Sequence, residues 1–157
     1  MKRIALLVLT VAANVIANEE ENIQQVATNF ETDVSTVKIC LTEAGTTAEQ
    51  MQITKQKWQE IKDDEDIDEE TKESFTTHGR FVACILEKND MMKDSKLVLD
   101  KILEAVEKEP NDPTVTKNKQ VVTECVTSLN EADQLNREDR AFGLMLCINR
   151  KQQTTER

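Results

Sequence analysis

The chain has 157 residues and a formal charge of −10, with 30 Asp and Glu against 20 Lys and Arg. So acidic a surface repels phosphate backbones and anionic lipid, which excludes nucleic-acid binding. Three glycines and two prolines leave no Gly-rich phosphate loop and few hairpin turns, and no Asn-x-Ser/Thr acceptor for N-glycosylation occurs.

Residues 1–17 read as an export signal. Lys2 and Arg3 form a positive head, residues 4–11 are an almost unbroken apolar run, and Val15 and Ala17 place small side chains ahead of cleavage after Ala17. The apolar stretch is broken by Asn14 and stops at Asn18, short of the ~20 residues a bilayer requires. The expected product is a secreted, extracellular protein without membrane insertion, a single domain over residues 18–157. Losing Lys2 and Arg3 removes two positive charges from −10 and leaves −12. That length suffices to bury a genuine core.

Apolar residues then recur at helical spacing. Ile23, Val26, Ala27, Phe30, Val34, Val37 and Leu41 form one stripe of a long first helix, with Glu19, Glu20 and Glu21 near its start, where negative charge complements the helix dipole. Gly45 ends it, and Thr46 or Thr47 caps a second helix bearing Met51, Thr54, Trp58 and Ile61 on one face. Residues 63–70 (DDEDIDEE) are an acidic connector. A calcium loop begun at Asp64 needs glycine sixth and glutamate twelfth, where this chain has Glu69 and Phe75, so the segment reads as a solvated lead into a helix.

From Thr71 the helical period resumes through Phe75, His78, Val82, Ile85 and Leu86, ending near Asn89 and Asp90. Leu99, Ile102, Leu103 and Val106 mark the next helix, and Pro110-Asn111-Asp112-Pro113 is the clearest break in the chain. Val122, Cys125, Val126 and Leu129 define one later helix, and Phe142, Met145, Leu146 and Ile148 the last, before a polar tail (151–157) expected to fray. About six helices on short connectors make an all-α fold.

Cys40, Cys84, Cys125 and Cys147 are separated by 43, 40 and 21 residues, far too wide for a CxxC metal clip or redox motif. An even count in a secreted chain predicts two disulfides. Four cysteines allow three pairings, and spacing does not choose among them.

Catalysis finds little to work with. His78 is the single histidine, so any Ser-His-Asp or Cys-His arrangement would have to be built around it, and no HExxH or nucleophile-elbow motif occurs. The expectation is no enzyme, no cofactor and no metal centre. What remains is burial. Met51, Trp58, Phe75, His78, Ile85, Met91, Val122, Val126, Phe142 and Met145 are the candidate lining of an aliphatic, methionine-rich pocket. For any one of them plain core is the simpler reading, and sequence does not separate the two uses. If His78 borders a cavity, its titration near neutrality would make ligand affinity pH-dependent.

The segment Cys40-Leu41-Thr42-Glu43-Ala44-Gly45-Thr46-Thr47 resembles the C-x-x-E-x-G motif that ends the first helix in insect odorant-binding proteins, the pheromone/general-odorant-binding family. The similarity runs along essentially the whole mature chain. It takes in the signal, the acidic stretch before a cysteine-bearing helix, the run from Phe81 to Lys88 (FVACILEK), the gap to Cys125 and the late helix with Cys147. Family members usually carry six cysteines, the second four residues before the third and the fifth nine before the sixth. Alignment puts the missing pair at Arg80 and Glu138, as in the four-cysteine "minus-C" subgroup. The resemblance implies disulfides Cys40–Cys84 and Cys125–Cys147, each worth roughly 3 to 4.7 kcal/mol in the chain-entropy model.

It also implies a compact six-helix fold around an internal apolar cavity, and a carrier of small hydrophobic molecules (odorant, pheromone or lipid-like) through aqueous fluid. A membrane receptor is then a candidate second partner, and a monomer or weak dimer the expected state. Opposite charges at Arg80 and Glu138 suggest an ion pair in place of the lost bridge, against the simpler expectation that both face solvent. The competing reading of the same gross features is a secreted helical signalling protein, a cytokine-like bundle with no small-molecule ligand.

Overall fold

The computed structural model describes residues 18–61, 66–107 and 114–155. The export signal, the first part of the acidic connector and the Pro110–Pro113 break lie outside the described residues. The chain divides into two compact units, Met1–Glu65 and Asp66–Arg157.

In the first unit, α1 is helical over 18–29, α2 spans Val34–Ala44 and α3 Ala48–Glu60. The single long first helix expected from the apolar stripe is therefore two helices, and the break has a clear cause. Glu31 takes φ 50°, its N–H bonds to the Thr28 carbonyl at 3.2 Å, and the Thr32 N–H reaches back to Ala27 at 3.0 Å. This is a Schellman termination with glutamate at the left-handed position usually held by glycine. Asp33 then caps α2, its carboxylate accepting from the Thr36 N–H at 2.7 Å, a bond that holds the Asp33 carboxyl below its usual value.

Gly45 ends α2 at φ 71°, and Thr47 caps α3 through the Gln50 N–H. The Glu19 carboxylate on α1 also accepts from the Ala48 N–H at 2.9 Å, placing negative charge at the start of α3. Ile23, Val26, Val37, Leu41, Met51 and Trp58 are among the side chains buried here.

The second unit begins with Asp68 capping α4, Glu69–Lys88, through the Thr71 N–H at 2.7 Å. Its C-terminus repeats the device of α1. Asp90 sits at φ 60°, its N–H on the Glu87 carbonyl, with the Met91 N–H on Leu86 at 2.8 Å. A small antiparallel hairpin follows, β1 (Met92–Lys93) paired with β2 (Lys96–Leu97). Asp94 and Ser95, both at positive φ (51° and 63°), form the two-residue turn that such a hairpin needs. Three helices complete the unit: α5 (Leu99–Val106), α6 (Thr114–Glu131) and α7 (Arg137–Thr155).

Helix α7 packs on both α4 and α6, and α5 on α6. The polar tail expected to fray continues α7 as far as Thr155. Among the described residues α4, α7 and α6 run to 20, 19 and 18 residues, while the expected long first helix is split in two. The Cys125–Cys147 disulfide staples α6 to α7 with 5.9 Å between Cα atoms, Cys40 and Cys84 are also disulfide-bonded, and no cysteine is free.

Lys151 on α7 pairs with Glu124 on α6, and that bond, with a second from Gln120, holds the Glu124 carboxyl below its usual value. A carboxyl depressed on folding contributes stability above its unfolded pKa and loses it as pH falls through the lower folded value. The melting-temperature gap between wild type and Glu124→Gln should thus be present at neutral pH. It should close as pH falls below the ordinary glutamate value of 4.5. A gap that widens on acidification would contradict this.

Two side chains tie the hairpin down. Asn130 near the end of α6 donates to the Leu97 carbonyl and accepts from the Leu97 N–H, both at 2.9 Å, acting as an added strand. Arg140, only 2% exposed, donates to three main-chain carbonyls: Ser95 at 2.5 Å, Leu129 at 3.0 Å and Ala132 at 2.8 Å. Its guanidinium thus also meets part-buried carbonyls at the end of α6 that lack an intrahelical partner, where positive charge suits the helix dipole.

Candidate functional site

Helices α4 and α7 come into backbone contact at Gly79. A Cβ built there would lie 2.5 Å from the Glu138 carbonyl oxygen and 3.1 Å from its carbon, so the absence of a side chain lets main chain touch main chain. One turn before Gly79 on α4 stands Phe75, with His78 beside it; one turn after Glu138 on α7 stands Phe142. These three rings come together. Phe75 and Phe142 stack with centroids 5.0 Å apart and planes 26° from parallel. His78 meets Phe142 edge-on, at 5.7 Å and 72°.

An ion pair closes the seam at its other side. Arg137, at the start of α7, donates to both carboxylate oxygens of Glu87 on α4 at 2.5 and 3.2 Å, and reaches Glu138 at 3.3 Å. The bonds that Arg137 donates to Glu87 raise its guanidinium above its ordinary pKa, partly opposed by burial. Glu138 is thus engaged by its neighbour Arg137, while Arg80 is exposed. The positions aligned with the absent cysteines do lie at a helix crossing, but the ion pair there uses Glu87 and Arg137.

Of the other residues named from sequence, Ile85, Val122 and Val126 are buried in the second unit, and Met91 and Met145 are half-buried. Phe75 and Phe142 are also only half-buried, whereas His78 is 5% exposed. On α7 the closed positions are Arg140, Ala141 and Leu144, because a helix packed on two neighbours spreads its apolar residues around more than one stripe. Met51 and Trp58 belong to the first unit, buried on one face of α3 with Thr54.

A cleft of about 570 Å³ opens in the first unit between α1 and the start of α3, lined by Asn18, Glu19, Asn22, Thr47, Glu49 and Gln52 among others. None of the ten expected lining residues borders it, and its carboxylates and amides offer little to an apolar molecule. Among the described residues no group of three His, Cys, Asp or Glu side chains is placed to hold a metal ion. Nor is any described helix long and apolar enough to cross a membrane.

Sequence reasoning missed Gly79, where α4 and α7 touch one turn from the ring cluster, and Arg140 and Asn130, which hold the hairpin. Arg140 and Asn130 bond to main-chain atoms, which leaves no partner side chain to pair them with. Gly79 lies inside a strong helical pattern, and such a glycine signals close packing without naming what approaches.

No curated protein and no solved structure matches the chain. The family model of the PBP/GOBP family matches residues 24–151, from the body of α1 to near the end of α7. With its helical build and two disulfides, the chain belongs to the PBP/GOBP family.

Proposed function

We propose that this protein is a secreted carrier that takes up a small hydrophobic molecule (odorant, pheromone or lipid-like) and moves it through aqueous extracellular fluid without altering it chemically. Family membership over residues 24–151 is the observation that carries this reading. The ring cluster of Phe75, His78 and Phe142 supports it, together with the half-buried Met91 and Met145 in the same unit. In this reading Ile85, Val122 and Val126, buried in that same unit, complete the apolar lining. Removing apolar ligand surface from water gains about 25 cal/mol per Å², which is the driving force for uptake.

Displacement of a fluorescent apolar probe by hydrophobic compounds tests the proposal. Saturable, one-site displacement is the expected result. A protein that binds no such compound, yet saturates a receptor ectodomain, would be the signalling molecule instead.

A further inference from the structure

We infer that α1 is a hinged strap, which swings out as one body about the Glu31 turn while α2 and α3 stay folded. Its opening uncovers the apolar stripe of Ile23, Val26 and Ala27, which are 7%, 7% and 3% exposed when the strap is closed. The motion belongs to the protein without a ligand, and so stands apart from the carrier reading.

Three features of the first unit converge on this. The turn after α1 holds Glu31 at φ 50°, left-handed backbone that an L side chain adopts only under strain. Opening at that residue releases the strain. The neighbouring helices also start without help from α1. Asp33 caps α2 through the Thr36 N–H, and Thr47 caps α3 through the Gln50 N–H. Finally, Cys40 is the first cysteine in the sequence, so α1 lies ahead of every disulfide loop and swings without straining one.

The closed position is specified too. Glu19 accepts from the Ala48 N–H at 2.9 Å and Asn22 from the Gln52 amide at 3.2 Å, so α1 and α3 lie side by side and run the same way. Glu19, Ile23 and Val26 follow at i, i+4 and i+7 on one face of α1, which turns the buried stripe toward α3. Lys38 on α2 adds an exposed ion pair with Glu20 at 3.5 Å, a kind that holds little in water. The cleft of about 570 Å³ opens beside these same bonds. The strap is therefore latched near its start by polar bonds that water replaces, and hinged at its end.

Hydrogen exchange of the full disulfide-bonded protein, followed by NMR, tests the strap without any variant. Val37 and Leu41 on α2 are as buried as the α1 stripe, at 0% and 5% exposed. After correction for intrinsic rates, the amides of Ile23, Val26 and Ala27 should exchange about a hundredfold faster than those of Val37 and Leu41. The three should also agree with one another, because a body that opens whole exposes them together. A cross-link between Asn22→Cys and Gln52→Cys should slow all three by about tenfold and leave α2 unchanged, against the same variant with both thiols alkylated.

Stripe amides as protected as those of α2 would overturn the inference. So would rates that fall steadily from the start of α1 to its end, which is fraying without a hinge, or rates that the cross-link leaves unmoved. Thiols that fail to join in a folded variant would overturn the docking of α1 on α3, and the strap with it.

Discussion

Replacing Arg140 with methionine should destabilise the protein by about 3 kcal/mol, as read by urea denaturation followed in the far-ultraviolet. The side chain is 2% exposed and its three donors end on the carbonyls of Ser95, Leu129 and Ala132. Methionine fills a similar volume and would itself be content in a buried place, so the loss comes from acceptors left facing an apolar group. An unsatisfied buried acceptor costs about 1–3 kcal/mol. Three such acceptors sum to about 3–9 kcal/mol, and relief from burying a charge offsets part of it, which leaves the loss near the lower end. Arg140→Lys should recover little, because one ammonium on a flexible stem does not span three separated carbonyls. A loss below about 1 kcal/mol in the methionine variant would show that water or a shifted hairpin takes over the contacts.

Gly79→Ala should destabilise although helix propensity alone favours alanine by about 1 kcal/mol. Two effects oppose each other here, and distance decides between them. The new methyl would sit 2.5 Å from the Glu138 carbonyl oxygen, which is backbone and moves only if α7 moves. Overpacking of that kind costs about 1–3 kcal/mol, so the net loss should be up to about 2 kcal/mol. Gly143→Ala provides the contrast. Its methyl would meet Leu129 Cδ2 at 2.8 Å, the far end of a flexible side chain, and the effect on stability should be near zero. In the carrier reading, Gly79→Ala should also weaken ligand binding, because displacing α7 at Glu138 carries Phe142 away from Phe75 and His78. Thermal melts of the two alanine variants side by side check the first claim. Equal melting temperatures would refute it.

Helices whose ends carry strong local chemistry were legible in the sequence. Gly45 marked the end of α2, Thr46 or Thr47 the start of α3, and the acidic run 63–70 led into α4, which begins at Glu69, two residues ahead of the expected Thr71. Two other features hid for one shared reason. The break after α1 and the hairpin turn both need left-handed backbone, and this chain places Glu31, Asp94 and Ser95 there rather than glycine. A side chain in that region costs about 1–2 kcal/mol per residue, so local propensity argues against each, and hydrogen bonds such as those to Ser95 and Leu97 pull the other way. The apolar stripe from Ile23 to Leu41 ran through the first break unbroken because the turn adds few residues and rejoins the same core. The family motif around Cys40 was readable, as was the list of apolar residues. Which of them meet was not, since the Phe75–Phe142 contact joins helices 67 positions apart.

The anchoring of the hairpin by main-chain acceptors bears on how the protein tolerates change. Every bond from Arg140 ends on a peptide oxygen, which any amino acid supplies. The side chains of Ser95, Leu129 and Ala132 can therefore drift without touching these contacts, provided the turn and the helix end keep their shape. A deep mutational scan should find an arginine that accepts almost nothing else, surrounded by bonding partners whose tolerance reflects only their own packing. Pairwise covariation among relatives would pass over the same latch, because one side of it has no chemical alphabet in which to compensate.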